Sequence, residues 1–316
     1  MRLRIVLLRA LGLGDFLTGV PALRAVRTAF PDAGITLAAP AVLEPLAGLC
    51  GAVDEVADTA PLRPLASRLH HADLAVNLHG RGQQSTLLLA ATRPRRLLAF
   101  AHEGLEITRG LPGWRPAEHE VARWCRLLTE GGIPADPDPA MLKLDPPASG
   151  TPWPGAVVIH AGASAAARRW PPDRWAEVAT ALTGRRIVLT GTADEGPLAS
   201  FIAGRAGLPP ASVLAGQLDL TALAALTAHA ALVLSGDTGI AHLAAAFGAP
   251  AVTLAGPVPP ALWGPPPRPA HRVLWAGEPG RSGDAHASAP DPRLLAISPA
   301  DVIAAAETVL SLTKDG

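Results

Sequence analysis

The chain has 316 residues, of which 49% are hydrophobic and 17% are charged, and its formal net charge at pH 7 is zero. A chain of this length and apolar content folds around a large core, and two domains are the default expectation. Zero net charge gives no support for a nucleic-acid-binding protein, which needs a basic surplus. The only cysteines, Cys50 and Cys125, argue against a disulfide scaffold and a cysteine-ligated metal site, and they fit a reducing cytoplasm.

The N-terminus does not have the pattern of a secretory signal. Its apolar run, from Ile5 to Leu8, ends at Arg9, and no small-residue cleavage site follows. No uncharged apolar stretch reaches the ~18 residues that a membrane span requires. We therefore expect a cytoplasmic protein whose chain begins with a buried strand.

Apolar runs of strand length alternate with helical patterns, which is typical of βαβ units and a parallel sheet. In the first half, strands are predicted near 3–9, 35–39, 73–78 and 95–100, and helices near 16–29, 41–50, 83–91 and 117–130. The segment from Pro134 to Pro154 contains seven prolines and little periodicity. We interpret it as a linker between domains.

After this segment the pattern restarts. Strands are predicted near 156–160, 186–190, 212–215, 231–235 and 250–254, and helices near 173–183, 195–205, 219–228, 239–247 and 298–313. Residues 277–292, rich in Gly, Pro, Ser and Asp, predict a mobile loop. The fold class is therefore α/β, with doubly wound parallel-sheet domains over 1–145 and 146–316. Ligands are expected in a cleft between the carboxyl ends of both sheets, and we also consider that the last helix packs back on the first domain.

The strongest candidate site is Ser235-Gly236-Asp237-Thr238-Gly239-Ile240-Ala241-His242. It joins an apolar strand to a helix-forming segment. A tight turn at such a junction directs backbone N–H groups and the positive end of a helix dipole at one point, which suits a phosphate. Asp237 or Thr238 could equally cap the helix, so both interpretations stay open.

The turn after the first strand is Arg9-Ala10-Leu11-Gly12-Leu13-Gly14-Asp15-Phe16. The third glycine of a dinucleotide-binding fingerprint would fall at Leu17, so the fingerprint fails. The two glycines still allow a sharp turn that places Asp15 at the start of a helix. Asp15 could cap that helix, or its carboxylate could take a proton from a substrate hydroxyl.

A second phosphate-binding candidate opens the second domain. The strand that ends at His160 leads into a loop of small residues, followed by Arg168 and Arg169. Small residues allow close approach of the backbone, and a guanidinium binds phosphate oxygens bidentately. We expect Arg168 to contact phosphate and Arg169 to be a solvated surface residue.

Two further strand-to-helix turns carry polar residues. Asp194 or Glu195 could hold ribose hydroxyls or cap the next helix. In the first domain, the turn with Asn77, His79 and Arg81 could hydrogen-bond a sugar. No histidine pair has zinc-ligand spacing on a predicted helix, so no metal site is predicted.

Together these segments resemble glycosyltransferase family nine, the ADP-heptose-dependent heptosyltransferases. The resemblance rests on Leu13-Gly14-Asp15 with Pro21-Ala22-Leu23-Arg24, Asn77-Leu78-His79-Gly80, His160-x-Gly162-x-Ser164 with Arg168-Arg169-Trp170-Pro171, the Ser235–His242 motif and Ala255-Gly256-Pro257. Their order and spacing extend along the chain. The resemblance implies the GT-B fold, in which two Rossmann-like domains face each other across a cleft, and this agrees with the architecture predicted above.

The resemblance also implies roles. Asp15 matches the general base of an inverting transfer, in which an acceptor hydroxyl attacks the anomeric carbon opposite the departing ADP. Charge that builds on the diphosphate would be met by Arg168 and the start of the 239–247 helix, so no metal or other cofactor is expected. The implied donor-binding residues are His160, Gly162, Ser164, Arg168, Glu195, Asp237, Thr238, Gly239 and His242. The implied acceptor-binding residues are Gly14, Asn77, His79 and Arg81.

The implied partners are a nucleotide-sugar donor, ADP-heptose or a close relative, and a glycan, lipid-linked or small-molecule acceptor; a lipid-linked acceptor would require peripheral membrane contact. Three features depart from the family pattern: Arg168 replaces the usual lysine, Pro257-Val258-Pro259-Pro260 replaces a segment with polar donor contacts, and the 277–292 loop lacks the cysteines of some relatives. The exact donor sugar stays open. A nucleotide-sugar 2-epimerase or a non-catalytic nucleotide-sugar-binding module are the alternatives.

Overall fold

The structure is a computed structural model that describes residues 2–312. Residue 1, and with it the start of the predicted first domain, lies outside the described residues, as do residue 313 of the predicted last helix and the rest of the C-terminus. The chain divides into two compact units, Met1–Leu144 and Asp145–Gly316. The division falls inside the proline-rich segment that the sequence analysis interprets as a linker.

The first unit is built on a five-stranded sheet in which all neighbouring strands are parallel. Its strands are β1 (Arg4–Leu8), β2 (Gly34–Ala39), β3 (Glu55–Asp58), β4 (Leu74–Asn77) and β5 (Arg96–Leu98). Its helices are α1 (Leu13–Ala29), α2 (Glu44–Cys50), α3 (Gln83–Ala90) and α4 (Glu120–Glu130). The strand order across the sheet is β3-β2-β1-β4-β5, so β1 and β4 are the two strands from which the chain winds in opposite directions.

The second unit repeats this plan. Its parallel strands are β6 (Val157–His160), β7 (Ile187–Thr190), β8 (Leu232–Gly236), β9 (Ala251–Leu254) and β10 (His271–Leu274). Its helices are α5 (Pro172–Ala181), α6 (Gly196–Arg205), α7 (Leu220–Ala228), α8 (Gly239–Phe247), α9 (Pro260–Trp263), α10 (Pro292–Leu295) and α11 (Pro299–Leu312). The order β10-β9-β8-β6-β7 places the change of winding direction between β6 and β8. None of the helices within residues 2–312 has the length and apolar character needed to cross a bilayer.

The central strands are apolar along their length because both faces of a parallel sheet are covered. Successive side chains point to opposite faces, so Val157 and Ile159 join one core cluster and Val158 joins the other. The first of these clusters also contains Trp170 and Trp175, whose rings meet edge to face with centroids 5.0 Å apart. This is a favourable aromatic arrangement, and it anchors the segment that leads into α5.

One strand prediction was wrong, and two strands were not predicted. Residues 212–215 form no strand and make a single bridge, between Leu189 and Val213, because the N–H groups of Ser212 and Val213 donate to the carbonyl oxygens of Pro209 and Pro210 in a 3₁₀ turn. The edge strands β3 and β10 were missed. Both mix polar with apolar residues, since an edge strand is only partly covered, and such a segment has no continuous apolar run.

The last helix, α11, belongs to the second unit. Its four buried residues, Val302, Ala306, Val309 and Leu310, all join the core cluster that contains Trp170 and Trp175. The suggestion that this helix packs back on the first domain is not tested by these contacts and stays a prediction. The apolar face of α11 covers the second sheet, which would otherwise expose that side of its core to water.

We predict that Val302→Ala lowers the free energy of unfolding by about 1.5–3 kcal/mol, because two buried methyl groups are lost and a cavity is left. Val302 is 0% exposed, whereas Val42 is 65% exposed and serves as the matched control. Val42→Ala should change the stability by less than about 0.5 kcal/mol. Urea denaturation followed by circular dichroism measures both, and equal effects would contradict the packing of α11.

Candidate functional site

The second unit presents its candidate site where β6 and β8 end. These strands are parallel neighbours in register, with His160 opposite Ser235, so the loops that leave them start at the same edge of the sheet. In doubly wound sheets a ligand binds in the crevice at such a change of winding direction. The two segments predicted to bind phosphate, 161–168 and 237–239, are the loops that flank this point.

The start of α8 is open rather than capped by a side chain. Thr238 is the N-cap residue, its backbone is extended, and its side chain makes no capping hydrogen bond. Within the described part of the chain, the buried atoms Thr238 Oγ1 and Asp237 Oδ2 have no hydrogen-bond partner. The alternative interpretation, that Asp237 or Thr238 serves to cap the helix, is therefore not what the structure shows. The N-terminal N–H groups of α8, which begins at Gly239, lack intrahelical partners and can bind an anion.

Arg168 is held against this turn. It ends a short 3₁₀ turn, Ala166–Arg168, whose main chain packs so closely on β8 that a Cβ added to Gly236 would lie 3.2 Å from the Arg168 carbonyl oxygen. Its Nη1 donates to the carbonyl oxygen of Asp237 at 3.4 Å and lies 3.9 Å from Asp237 Oδ2. Arg168 Nε is buried and has no hydrogen-bond partner among residues 2–312. The guanidinium therefore keeps donors available for a ligand.

The predicted mobile loop supports the Arg168 turn. The Ala167 N–H donates to the carbonyl oxygen of Ala287 at 3.2 Å, and the Asp291 N–H donates to the carbonyl oxygen of Ala167 at 3.0 Å. The loop also reaches the segment after β9, because the Gly283 N–H donates to the Pro257 carbonyl oxygen at 2.7 Å. It is irregular in structure, but its main chain is tied to both neighbours of the site.

Asp237 carries the most unusual electrostatics of this site. Burial raises the pKa of its carboxyl to about 6, and the positive charge of Arg168 opposes that rise. A carboxylate removed from water loses its hydration, and one ion pair at 3.9 Å does not compensate for the loss. Near neutral pH the site therefore holds a proton more readily than an exposed aspartate does.

Glu195 lies at the carboxyl ends of β6 and β7. A Cβ added to Gly162 would meet the Glu195 carboxyl carbon at 2.1 Å, so the carboxyl group fills the space that a side chain at 162 would occupy. Its Oε2 accepts a hydrogen bond from the Thr192 N–H at 2.8 Å as part of a capping box. Glu195 thus caps the turn that leads into α6 and also borders the small recess lined by Ala161, Gly162 and Thr190. Asp194 is exposed.

The remaining predicted residues of the second unit are placed as follows. Burial lowers the pKa of His160, the negative charge of Glu195 opposes this shift, and its Nδ1 lies 3.0 Å from Thr190 Oγ1. Ser164 is exposed. Arg169 is exposed, and its Nε donates to the Ala163 carbonyl oxygen at 2.8 Å. His242, in α8, is buried, and its ring packs edge to face on Trp263 with the ring centroids 5.5 Å apart. No sequence pattern predicts this contact.

In the first unit, Asp15 follows the central strand β1, at the carboxyl edge of the sheet. Gly12 is the N-cap of α1, so Asp15 sits in the first turn and is not the cap residue. Its side chain is 31% exposed, and its Oδ1 lies 3.9 Å from Arg9 Nη2. Gly14, also in the first turn, is half-buried. The carboxylate is accessible to a ligand and faces a buried positive charge.

The three candidate residues of the turn after β4 differ in burial: Asn77 is buried, His79 is half-buried and Arg81 is exposed. Asn77 is buried; its Nδ2 donates to Ser85 Oγ at 3.0 Å and Thr86 Oγ1 at 2.9 Å, and its Oδ1 accepts from the His79 N–H at 3.0 Å. It shapes the turn and has little capacity left for a ligand. His79 is half-buried, and burial first, then Arg9, lowers its pKa. Arg81 is exposed.

No group of three or more His, Cys, Asp or Glu side chains in residues 2–312 is arranged to hold a metal ion. Three of the buried polar atoms without hydrogen-bond partners among residues 2–312, namely Thr238 Oγ1, Asp237 Oδ2 and Arg168 Nε, instead lie around the start of α8. This combination of a helix N-terminus and an arginine is suited to a phosphate group.

The sequence model of glycosyltransferase family 9 (heptosyltransferase) matches residues 68–285. This match covers more than half of the chain and includes the loops after β6 and β8. The chain therefore belongs to glycosyltransferase family 9. The matched range begins after β1, so it does not include Asp15.

Among curated proteins, lipopolysaccharide heptosyltransferase 3 of Escherichia coli is 32% identical over 168 residues, which are 51% of this chain and 48% of that protein. The chain thus spans about half the length of the curated relative that it matches. Solved structures match over nearly the whole chain. The glycosyltransferase family 9 protein of Veillonella parvula has a TM-score of 0.79 at 21% identity and covers 98% of this chain and 97% of its own. The ADP-heptose lps heptosyltransferase II of E. coli has a TM-score of 0.78 at 21% identity and covers 99% and 100%.

At these identities the structural likeness shows the fold. The two units with parallel five-stranded sheets are the Rossmann-like units of a GT-B fold, and the predicted fold class and family are confirmed. The roles of individual residues remain predictions.

We predict that Asp237→Asn becomes increasingly stable relative to the wild type as the pH rises from 4 to 8. A carboxyl whose folded pKa of about 6 exceeds the unfolded value near ~4 stabilises the fold at low pH and loses this contribution as the pH rises through 6. A difference of about two pKa units is worth about 3 kcal/mol. Thermal unfolding at several pH values measures the difference, with the exposed Asp32→Asn as control; a pH-independent difference would contradict the prediction.

Proposed function

We propose that this protein is an inverting, metal-independent glycosyltransferase that transfers a heptose, or a closely related sugar, from an ADP-sugar to a hydroxyl acceptor. The observation that carries the proposal is the open start of α8 beside Arg168, where Thr238 Oγ1, Asp237 Oδ2 and Arg168 Nε are buried without partners among the described residues. The oxygen atoms of a diphosphate would accept hydrogen bonds from the Thr238 hydroxyl and Arg168 Nε, and from the Asp237 carboxyl only while it is protonated. Membership of family 9 and the name of the E. coli ADP-heptose transferase support ADP-heptose as the donor.

The leaving group would be stabilised at this end of the donor. When the bond to the anomeric carbon breaks, negative charge grows on the ADP diphosphate. The Arg168 guanidinium and the N–H groups at the start of α8 are already in place, so they would stabilise this charge without rearranging. Such stabilisation raises the rate because it is stronger in the transition state than in the ground state.

The nucleoside would extend from the diphosphate toward β6 and β7. The recess there is lined by small and apolar residues with the Glu195 carboxyl at its border. A carboxylate that accepts from two ribose hydroxyls is the usual way for a Rossmann-like unit to recognise a ribose. Gly162 supports this assignment, since only glycine leaves room for the carboxyl group. Of the two acidic residues considered, we therefore assign the ribose to Glu195 and not to the exposed Asp194.

Asp15 is proposed as the general base. Its carboxylate is accessible at the carboxyl edge of the first sheet, and His79 and Arg81 follow the neighbouring strand β4. The acceptor hydroxyl would lose its proton to Asp15 as its oxygen attacks the anomeric carbon from the face opposite ADP. The new glycosidic bond then has inverted configuration. This mechanism requires the two units to hold both substrates together, which remains a prediction.

We predict that Glu195→Gln weakens ADP binding about tenfold or more, because a hydrogen bond to a charged group contributes roughly 1.5–3 kcal/mol. Isothermal titration calorimetry with ADP measures the effect. The matched control is Asp194→Asn, which should bind ADP with wild-type affinity because that side chain is exposed. The reverse pattern would assign the ribose to Asp194. A stronger thermal shift with UDP, GDP or dTDP than with ADP would overturn the proposed donor.

We predict that Asp15→Asn lowers transfer from ADP-heptose by about 100-fold or more, since a positioned base contributes about 10²–10⁴ to the rate, while ADP affinity stays within about twofold. Release of ADP in the presence of a hydroxyl acceptor measures the transfer. Asp32→Asn, an exposed aspartate of the same unit, is the control. Full activity of Asp15→Asn would refute the mechanism. Conversion of the donor by the wild type without any acceptor would favour an epimerase. Tight ADP binding by the wild type without turnover would favour a binding module.

A further inference from the structure

Next to Asp15, the first unit contains buried ionic residues, Arg9, Glu120 and Arg123, that the proposed function does not use. Arg9 directly follows β1, and its side chain is fully buried. Its Nε donates to the carbonyl oxygen of Asp15, and its Nη1 donates to the carbonyl oxygen of Leu78. Its Nη2 donates to Thr18 Oγ1 at 3.0 Å and to Glu120 Oε1 at 3.3 Å. The guanidinium therefore joins the ends of β1 and β4 to the first turns of α1 and α4.

Helix α1 is adapted to this arginine. Gly19 lies inside α1, although glycine is a poor helix former. A Cβ at this position would lie 2.9 Å from both Arg9 Cδ and Arg9 Nε. The glycine thus allows the arginine to cross the helix and reach Asp15.

Glu120 is held as firmly as Arg9. It is the first residue of α4, and its Oε1 also accepts from Trp124 Nε1 at 2.8 Å. Its Oε2 accepts from Arg123 Nη1, and the Arg9 guanidinium lies over the Trp124 ring, 4.9 Å from its centre. The side chains form a row of alternating charge: Arg123, Glu120, Arg9 and Asp15.

We propose that Arg9 and Glu120 are positioning residues for Asp15: Arg9 fixes the turn that carries the Asp15 carboxylate, and Glu120 balances Arg9 so that this carboxylate remains a usable base. The catalytic part of this inference rests on the proposed function, whereas the coupling of the charges does not. Asp15 is the only one of the four that is substantially exposed, at 31% against 10% or less for the side chains of the other three. It is therefore the member of the row placed to exchange a proton with a substrate.

The direction of the coupling follows from Coulomb's law. An unbalanced Arg9 would stabilise the charged form of Asp15, so that Asp15 would take a proton less readily. The negative charge of Glu120 offsets Arg9, and Arg123 on the far side offsets Glu120 in turn. His79 also lies in the field of Arg9, and its pKa is lowered by burial and then by Arg9.

The test is a pair of charge-removing variants with opposite predicted effects. Glu120→Gln keeps an acceptor for Trp124 but removes the negative charge, so the titration midpoint of Asp15 should fall by about half a pH unit or more. Arg123→Gln removes the outer positive charge, so the midpoint should rise. Carbon-13 NMR of labelled aspartate carboxyl groups, with the Asp15 signal assigned through Asp15→Asn, measures both midpoints without any enzymatic assay. Because the two variants are independent, misfolding of one leaves the other to decide.

Glu118→Gln is the matched control. Glu118 lies in the same segment and accepts hydrogen bonds from Arg126 Nε at 2.7 Å and Nη2 at 2.8 Å, but Arg126 is not part of the row. The Asp15 midpoint in Glu118→Gln should equal the wild-type value. The inference would be overturned if the Asp15 midpoint of every folded variant, Glu120→Gln or Arg123→Gln, equals the wild-type value. It would also be overturned if Glu118→Gln shifts the Asp15 midpoint as much as Glu120→Gln does.

Kinetics test the positioning role. Arg9→Lys keeps the charge but cannot hold several acceptors at once, so kcat for transfer should fall about fivefold or more, while KM for the donor stays within about twofold. Wild-type kcat in a folded Arg9→Lys enzyme would refute positioning. If midpoints shift as predicted but no transfer from ADP-heptose occurs, the proposed function fails and the coupling stands. If Asp15→Asn abolishes transfer while the midpoints do not move, only the further inference fails.

Discussion

The site of the second unit depends on the parallel pairing of β6 with β8. Their register sets His160 beside Ser235, so both strands deliver their loops to the same edge at the same height. Gly236 then lets the Arg168 main chain pack against β8, which brings the guanidinium to within 3.9 Å of Asp237. Antiparallel pairing would send the two loops to opposite edges, and the arginine and the start of α8 could not act on one ligand.

Both units place an arginine and an aspartate at the carboxyl edge of a central sheet, but the environments differ. The Asp237 side chain is 6% exposed and Asp15 is 31% exposed, while each lies 3.9 Å from its arginine. Because Asp237 is buried, its ionised carboxylate has lost hydration free energy. Hydrogen bonds donated by a bound substrate could offset this loss. Asp15 is accessible to solvent, as a side chain that accepts a proton from a substrate must be. These environments are consistent with the proposed roles, binding in the second unit and proton transfer in the first.

The motif loops were predictable because their signals are local. A strand, a glycine-containing turn and a helix follow one another between Leu232 and Phe247, and no distant residue is needed to recognise that order. Arg168 was recognised in the same way. Arg9 is close to Asp15 in the sequence, but its ion pair with Glu120 was not predicted. Glu120 is far away in the sequence and belongs to an amphipathic helix with no distinctive motif. Trp263 was missed for the same reason: its contact with His242 exists only once the segment after β9 folds over α8.

The sequence by itself determined the alternation of strands and helices, the family and the positions of the turns that we propose to bind phosphate, because these depend on residue order and on the hydrophobic pattern within short windows. Only the tertiary structure decided which polar groups remain without partners, that Glu195 rather than Asp194 borders the recess, and that Asn77 supports its turn from inside. It also decided that α11 covers the second sheet. Burial and charge balance depend on what packs around a side chain, and that environment is assembled from segments distant in the chain.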